Sequence, residues 1–218
     1  MFAVGFREVL TIILLILSYL AINRSFKKKH MKKTFLSLAS VAFVAGLLAF
    51  APATQKNYAD LTVNLEKSRV DWVGSKKSDF HTGIVPLKSG SVSVSGGKLT
   101  GGKFVMDIAN LKVTDASGDR LAGHLKSAEI LDAAKNPEAT FEITGVNYTA
   151  ENTATVSGKL TFNGVTLPLS FTANIRNSDD KGFFAQAFFG FDRTLFGVKY
   201  GVGAVSNDVQ LAIHLFAK

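Results

Sequence analysis

The chain has 218 residues, of which 47% are hydrophobic and 19% charged, and it contains no cysteine. That composition excludes a disordered polyelectrolyte, and the missing thiols exclude disulfides, zinc-thiolate sites, iron–sulfur clusters, a catalytic cysteine and a lipoprotein anchor. The formal charge of +8 sits mostly near the start: residues 1–53 hold seven of the 25 Lys/Arg and one of the 17 Asp/Glu, leaving 18 and 16, or +2, for the rest. A near-neutral domain offers no electrostatic footprint for nucleic acid.

In residues 1–30, an apolar run from Val9 to Ile22 precedes Arg24 and Lys27 to Lys29. Two readings stand: a short membrane helix with its basic end in the cytoplasm, or upstream sequence before a true start at Met31. The complete second start at Met31 favours the latter. Lys32 and Lys33, the apolar stretch from Phe35 to Phe50 and Ala51-Pro52-Ala53 form the three parts of a secretory signal peptide over 31–53. Cleavage is expected after Ala53, with Ala51 as the alternative that would leave Pro52 after the cut. A transmembrane anchor is the competing reading, but the run is short for a span of about 20 residues. Residues 54–218 are then expected to form one exported domain.

From Leu61 onward, short stretches of alternating apolar and polar residues are separated by Gly, Asn and Ser. Strands are expected over Thr62–Glu66, Arg69–Gly74, Ile84–Leu87, Ser91–Ser95, Lys98–Ile108, Phe141–Tyr148, Thr153–Phe162, Val165–Ile175, Phe183–Phe191 and Val209–Phe216. Val70, Trp72 and Gly74 share one face of the second. Many short strands at this spacing predict an all-β fold, an antiparallel barrel or sandwich. Asn163-Gly164 suits a type I′ turn that pairs Phe162 with Val165. Leu160, Phe162, Val165, Leu167, Leu169 and Phe171 then share one face, and Pro168 on the other row marks an edge or irregular position. One segment, Asp119–Lys135, breaks the rhythm. Leu121, Leu125 and Ala128 recur at helical spacing, Ser117 or Asp119 can cap it, and Asn136-Pro137 ends it. Gly123 weakens its middle, so a short helix or two turns are expected.

Chemistry-bearing residues are sparse. Residues 54–218 have three histidines, His81, His124 and His214, and no metalloprotease or nucleophile-elbow motif. His81 and His124 have two readings: metal ligands, with Asp79 or Glu129 adding oxygen, or polar side chains satisfying backbone groups near a rim. Asp107, Asp115, Asp119 and Asp132 read as solvated turns rather than a carboxylate pair. Gly96-Gly97 and Gly101-Gly102 lead into a strand and lack the Lys-Ser/Thr of a phosphate loop. The unusual feature is Phe, with six in Gly182–Gly197. Both faces of that strand are apolar, which requires a covering helix, or an apolar interior with the outer rings packed under loops. An apolar pocket and simple packing both remain open, since barrels of about eight strands can enclose one small ligand.

These residues resemble the YceI-like family of exported bacterial proteins. The resemblance is carried by Val70-Asp71-Trp72, Phe80–Val85, Gly101–Asp107, Gly123–Ser127, Asn136–Phe141, Gly158–Thr166, Arg193–Gly197 and Val205–Val209, in that order. Ile130-Leu131 stands where members often carry two aromatics. The resemblance implies a lipocalin-like antiparallel β-barrel that binds an isoprenoid lipid or isoprenoid quinone without catalysis, metal or cofactor. Of the polar residues in the matching blocks, His81, His124 and Arg193 are the head-group candidates. Arg193 suits a phosphate head or an ordinary ion pair with Asp192 or Asp208. The apolar wall is expected from Trp72, Phe104, Phe141, Leu160, Phe162, Leu169, Phe171 and Phe188. Transient membrane contact and a homodimer stay open. So do two other functions: binding of a fatty acid, haem or metal, and hydrolysis by His81 and His124.

Overall fold

The computed structural model describes residues 58–218, so the upstream segment and the signal peptide lie outside the described residues. Eleven strands follow one another among these residues. They are β1 (Tyr58–Thr62), β2 (Arg69–Lys76), β3 (Asp79–Val85), β4 (Leu87–Ser95), β5 (Lys98–Asp107) and β6 (Lys112–Val113), then β7 (Glu138–Ala150), β8 (Thr153–Phe162), β9 (Val165–Ser178), β10 (Phe183–Asp192) and β11 (Asp208–Ala217). One helix, α1 (Gly118–Lys126), lies between β6 and β7, and a 3-10 turn (Arg193–Phe196) follows β10. All strand pairs are antiparallel, in the order β1-β4-β5-β7-β8-β9-β10-β11-β2-β3-β6.

The sheet curls until its first strand meets β11. Thr62 and Lys218 exchange backbone hydrogen bonds of 3.1 and 2.9 Å, and Val63 bridges Ala217. Further along the same side of β11, β2 takes over, with Val70 opposite Ile213. The result is the antiparallel lipocalin-like barrel expected, closed at one end by β1 and continued at the other by the β2–β3 hairpin. The expected strand Thr62–Glu66 is corrected. It ends at Thr62 because Asn64 turns the chain: its Oδ1 accepts the amides of Glu66 and Lys67, and its carbonyl accepts that of Ser68. Local side-chain acceptors of this kind compete with the ladder.

The β8–β9 hairpin forms as the residues dictate. Asn163 and Gly164 adopt φ of 50° and 75°, and Phe162 pairs with Val165. Helix α1 runs through Gly123 to Lys126 with Ser117 at its N-cap position. Its buried residue is Ala122, while Ala128 lies beyond the helix and is exposed. The rest of the expected helix becomes turns, held by Asp132 and Ile130 amides on the Ser127 carbonyl. Asp132 itself takes a left-handed φ of 44°. Apolar side chains collect in two clusters, a large one within the barrel and a smaller one under α1 and the loops beside it.

Candidate functional site

Alternation sends every second residue of each strand inward, and those inward residues leave two cavities unfilled. The first chamber encloses about 850 Å³, mouth included, among residues of β4, β5 and β7 to β11. Gln186 is the one polar residue in its wall. The second chamber, about 860 Å³, lies under the irregular segments, where Ile108, Leu111, Leu131 and Val198 complete a wall begun by Trp72 and Phe162. Val70, Met106, Leu160 and Leu211 belong to both walls, so the chambers adjoin across a waist of four apolar side chains.

Of the wall residues expected from sequence, Phe104, Phe141, Leu169 and Phe171 line the first chamber, Trp72 and Phe162 the second, and Leu160 both. Phe188 does not. It points outward, is 60% exposed and meets His214 edge-on at 5.8 Å. Its neighbours Ala187 and Phe189 are the inward pair, and a strand apolar on both faces conceals which parity is inside. Among the described residues no helix covers that outer face; Phe184 instead stacks on Phe216 at 4.1 Å. Two wall rings depend on glycine. A Cβ on Gly83 would run into the Trp72 indole and the Lys112 carbonyl, and one on Gly158 into the Phe141 ring.

The second chamber exposes no polar surface, and Arg193, its one charged lining residue, turns its guanidinium to backbone carbonyls. Arg193 is 7% exposed and makes no ion pair among the described residues. Its Nε donates to the Ser206 carbonyl at 2.9 Å, Nη1 to Val198 at 2.7 Å and Nη2 to Val205 at 3.4 Å. Of the two readings of Arg193, the ion pair with Asp192 or Asp208 does not form. Asp192 instead caps the 3-10 turn, accepting the Thr194 amide at 2.7 Å and hydroxyl at 2.6 Å, and these bonds lower its pKa. Trp72 Nε1 is buried without a hydrogen-bond partner.

The two histidines from the matching blocks are held apart. His81 Nδ1 lies 3.2 Å from Asp115 and 3.5 Å from the Ser117 hydroxyl, whereas His124 faces Glu129 at 4.0 Å and the Tyr200 ring edge-on at 5.2 Å. Neither lines a chamber, and no cluster of three metal-ligating residues occurs among the described residues. Asp79 pairs with Lys76. Both Asp115 and Ser117 address the same His81 nitrogen, which is not the relay geometry of an activated hydroxyl. Asp115 serves as a clip between β3 and the start of α1: the Thr82 and Ser117 amides donate to it and hold its carboxyl down at about 2. Asp107 turns the chain through Asn110, and Asp132 pairs with Lys135.

Sequence reading missed the waist residues Met106 and Leu211 as a pair, and most of the second wall. Leu111 and Val198 sit in segments without a period, where apolar character alone signals burial, whereas Ile108 ends the expected strand Lys98–Ile108 in phase with Phe104. Ile130 and Leu131 both line the second chamber.

Residues 25–217 match the model of the YceI-like domain. A UPF0312 protein of Pseudomonas putida strain GB-1 is 33% identical over 192 residues, covering 84% of this chain and 95% of that protein. Another from Azotobacter vinelandii is 30% identical over 196 residues, covering 84% and 96%. Among solved structures, Burkholderia cenocepacia BcnA superposes with a TM-score of 0.64 at 22% identity, over 72% of this chain and 99% of that one. A polyisoprenoid binding domain from Saccharophagus degradans, described as implicated in plant cell wall breakdown, gives 0.59 at 16%, over 74% and 99%. The barrel, its ordered sequence blocks and these matches agree: the chain belongs to the YceI-like family.

Proposed function

We propose that this protein is an exported, non-enzymatic carrier that holds an isoprenoid lipid or isoprenoid quinone along its two chambers. The observation that carries this reading is the pair of apolar chambers adjoining across four shared side chains, a lining that suits a long apolar chain better than a compact polar ligand. Each isoprene unit withdraws five carbons from water, worth about 4 kcal/mol gross at about 0.8 kcal/mol per CH₂-sized group. Ordering and immobilisation offset part of that, yet several units leave ample affinity.

The tail belongs in the first chamber and the head in the second. Arg193 lines that chamber, and a head-group carbonyl or phosphate oxygen would draw on the two guanidinium N–H groups that the backbone carbonyls leave, once the side chain turns toward the cavity. His81 and His124, outside both chambers, drop out as head-group partners in this reading. Export is supported by the pattern of residues 31–53.

Protein produced from the full chain in bacteria, extracted with organic solvent and examined by mass spectrometry, should release a stoichiometric polyprenyl compound. N-terminal sequencing should begin after Ala53. An empty extract from folded protein that also fails to take up polyprenyl quinone from vesicles would overturn the carrier reading.

A further inference from the structure

We propose that the lipid enters sideways, through a seam in the barrel wall between β9 and β10; this rests on the carrier reading above. The β9–β10 ladder runs from Ser178↔Phe183 to Ala173↔Ala187 and stops. Beyond it, Val165–Thr172 of β9 keep their pairing with β8, and Phe188–Asp192 of β10 keep theirs with β11, but the two stretches do not pair with each other. The β9 side runs for eight residues, but β10 supplies only five before the 3-10 turn, so at about 3.3 Å each the seam between the strands is about 16 Å long. Its far end is tied by Asn163 Nδ2 donating to the Phe196 carbonyl at 3.1 Å.

Burial within the single strand β9 marks the same boundary. Inward-facing Ala173 and Ile175, on the zipped side, are 4% and 3% exposed. Inward-facing Val165, Leu167, Leu169 and Phe171, on the unzipped side, are only half-buried. Pro168, which has no N–H to donate, sits in this unpaired stretch at no cost to a ladder.

Side chains close what the backbone leaves open. Phe171 of β9 stacks on Phe189 of β10 with ring centroids 4.2 Å apart and planes 4° apart. Past it, Phe191 of β10 meets Phe162 at 5.9 Å and Phe196 at 5.6 Å. Rotating aromatic side chains about χ1 breaks no backbone hydrogen bond, whereas opening any zipped pair breaks a ladder. The seam also runs alongside both chambers, because Phe171 and Phe189 line the first and Phe162 and Phe191 the second. A long chain can therefore be laid in from the side instead of being threaded past the waist.

The absence of native cysteine allows a direct test. Ser170→Cys with Gly190→Cys places thiols on the outer rims of the seam, and a bis-maleimide with a disulfide in its spacer clamps them. Thr172→Cys with Gly190→Cys serves if the first pair does not fold. Ser157→Cys with Ser170→Cys, across the continuous β8–β9 ladder, is the control clamp. Full-chain protein is mixed with vesicles carrying a polyprenyl quinone. The seam clamp should slow uptake at least tenfold, reductant should restore it, and the control clamp should leave it unchanged. Uptake as fast with the seam clamped as unclamped would overturn the portal. Failure of unclamped protein to take up the quinone overturns the carrier reading instead. The portal is then read with N-phenylnaphthylamine as guest, where clamp-sensitive entry supports it and equal rates overturn it.

Discussion

The two chambers are of similar size but are built differently. The first is walled by strand interiors, each inward side chain held by a ladder on both sides except along the seam. The second is walled by strand ends, α1, the turns after it and the segment from Arg193 to Val198, which few regular hydrogen bonds support. A regular wall spreads a perturbation over many contacts; an irregular one concentrates it on single residues. Substitutions around the second chamber should therefore cost more than similar ones around the first.

The largest effect is expected at Gly83, where Trp72 and the Lys112 carbonyl leave no room for a Cβ. Gly83→Val should lower stability by about 3 kcal/mol in urea unfolding. Gly101→Ala on the outer face of β5, where a Cβ finds Ser93 at an ordinary 3.7 Å, should change it by less than about 0.5 kcal/mol. Equal losses at the two glycines would break the comparison.

Next comes Arg193→Met, which keeps the apolar stem and removes the donor to three carbonyls. Stability should fall by about 2 kcal/mol, and hydrogen exchange should accelerate over residues 193–206 ahead of the barrel strands. Leu160→Trp sharpens the comparison at the waist. On the carrier reading it should weaken a long polyprenyl quinone about tenfold, or about 1.4 kcal/mol, and leave a short-chain analogue unchanged in a fluorescence titration.

A pH effect follows from the Asp115 clip. Its carboxyl is held at about 2 in the folded protein against an ordinary 3.8. The folded state therefore gains stability from the ionised group above about pH 4 and loses it as pH falls through about 2. Asp115→Asn should flatten the stability profile over that window, measured by thermal unfolding at closely spaced pH values. The smallest effect belongs to Phe188→Ser, which should change stability by less than about 0.5 kcal/mol and leave bound lipid unaltered. A large loss of lipid there would return Phe188 to the binding wall.

Much of the first chamber was legible in the sequence. Alternation of period two places Leu160, Leu169 and Phe171 on one face once Asn163-Gly164 sets the register, and the barrel keeps that face inside. Phe104 and Phe141 follow by the same rule. Phe188 was misplaced because Phe183 to Phe191 carries large apolar residues at both parities, so period alone cannot orient it. For Arg193 the ion-pair reading failed because a sequence displays side-chain types, whereas its actual partners are main-chain carbonyls of Val198, Val205 and Ser206. Leu111 and Val198 escaped notice as wall residues because turns carry no period to read, whereas Ile108, at the end of an expected strand and in phase with Phe104, was legible and overlooked.

The sequence by itself determined the local rules: which residues alternate, where Asn163-Gly164 must turn, and that Pro168 belongs where no neighbour needs its amide. These are short-range steric and hydrogen-bonding constraints, complete within a few residues. Only the tertiary structure decided that β1 and β2 share one side of β11, that two cavities meet at Val70, Met106, Leu160 and Leu211, and that β9 and β10 part after Ala173. Those outcomes depend on how far the sheet curls before its ends meet, which no local pattern encodes.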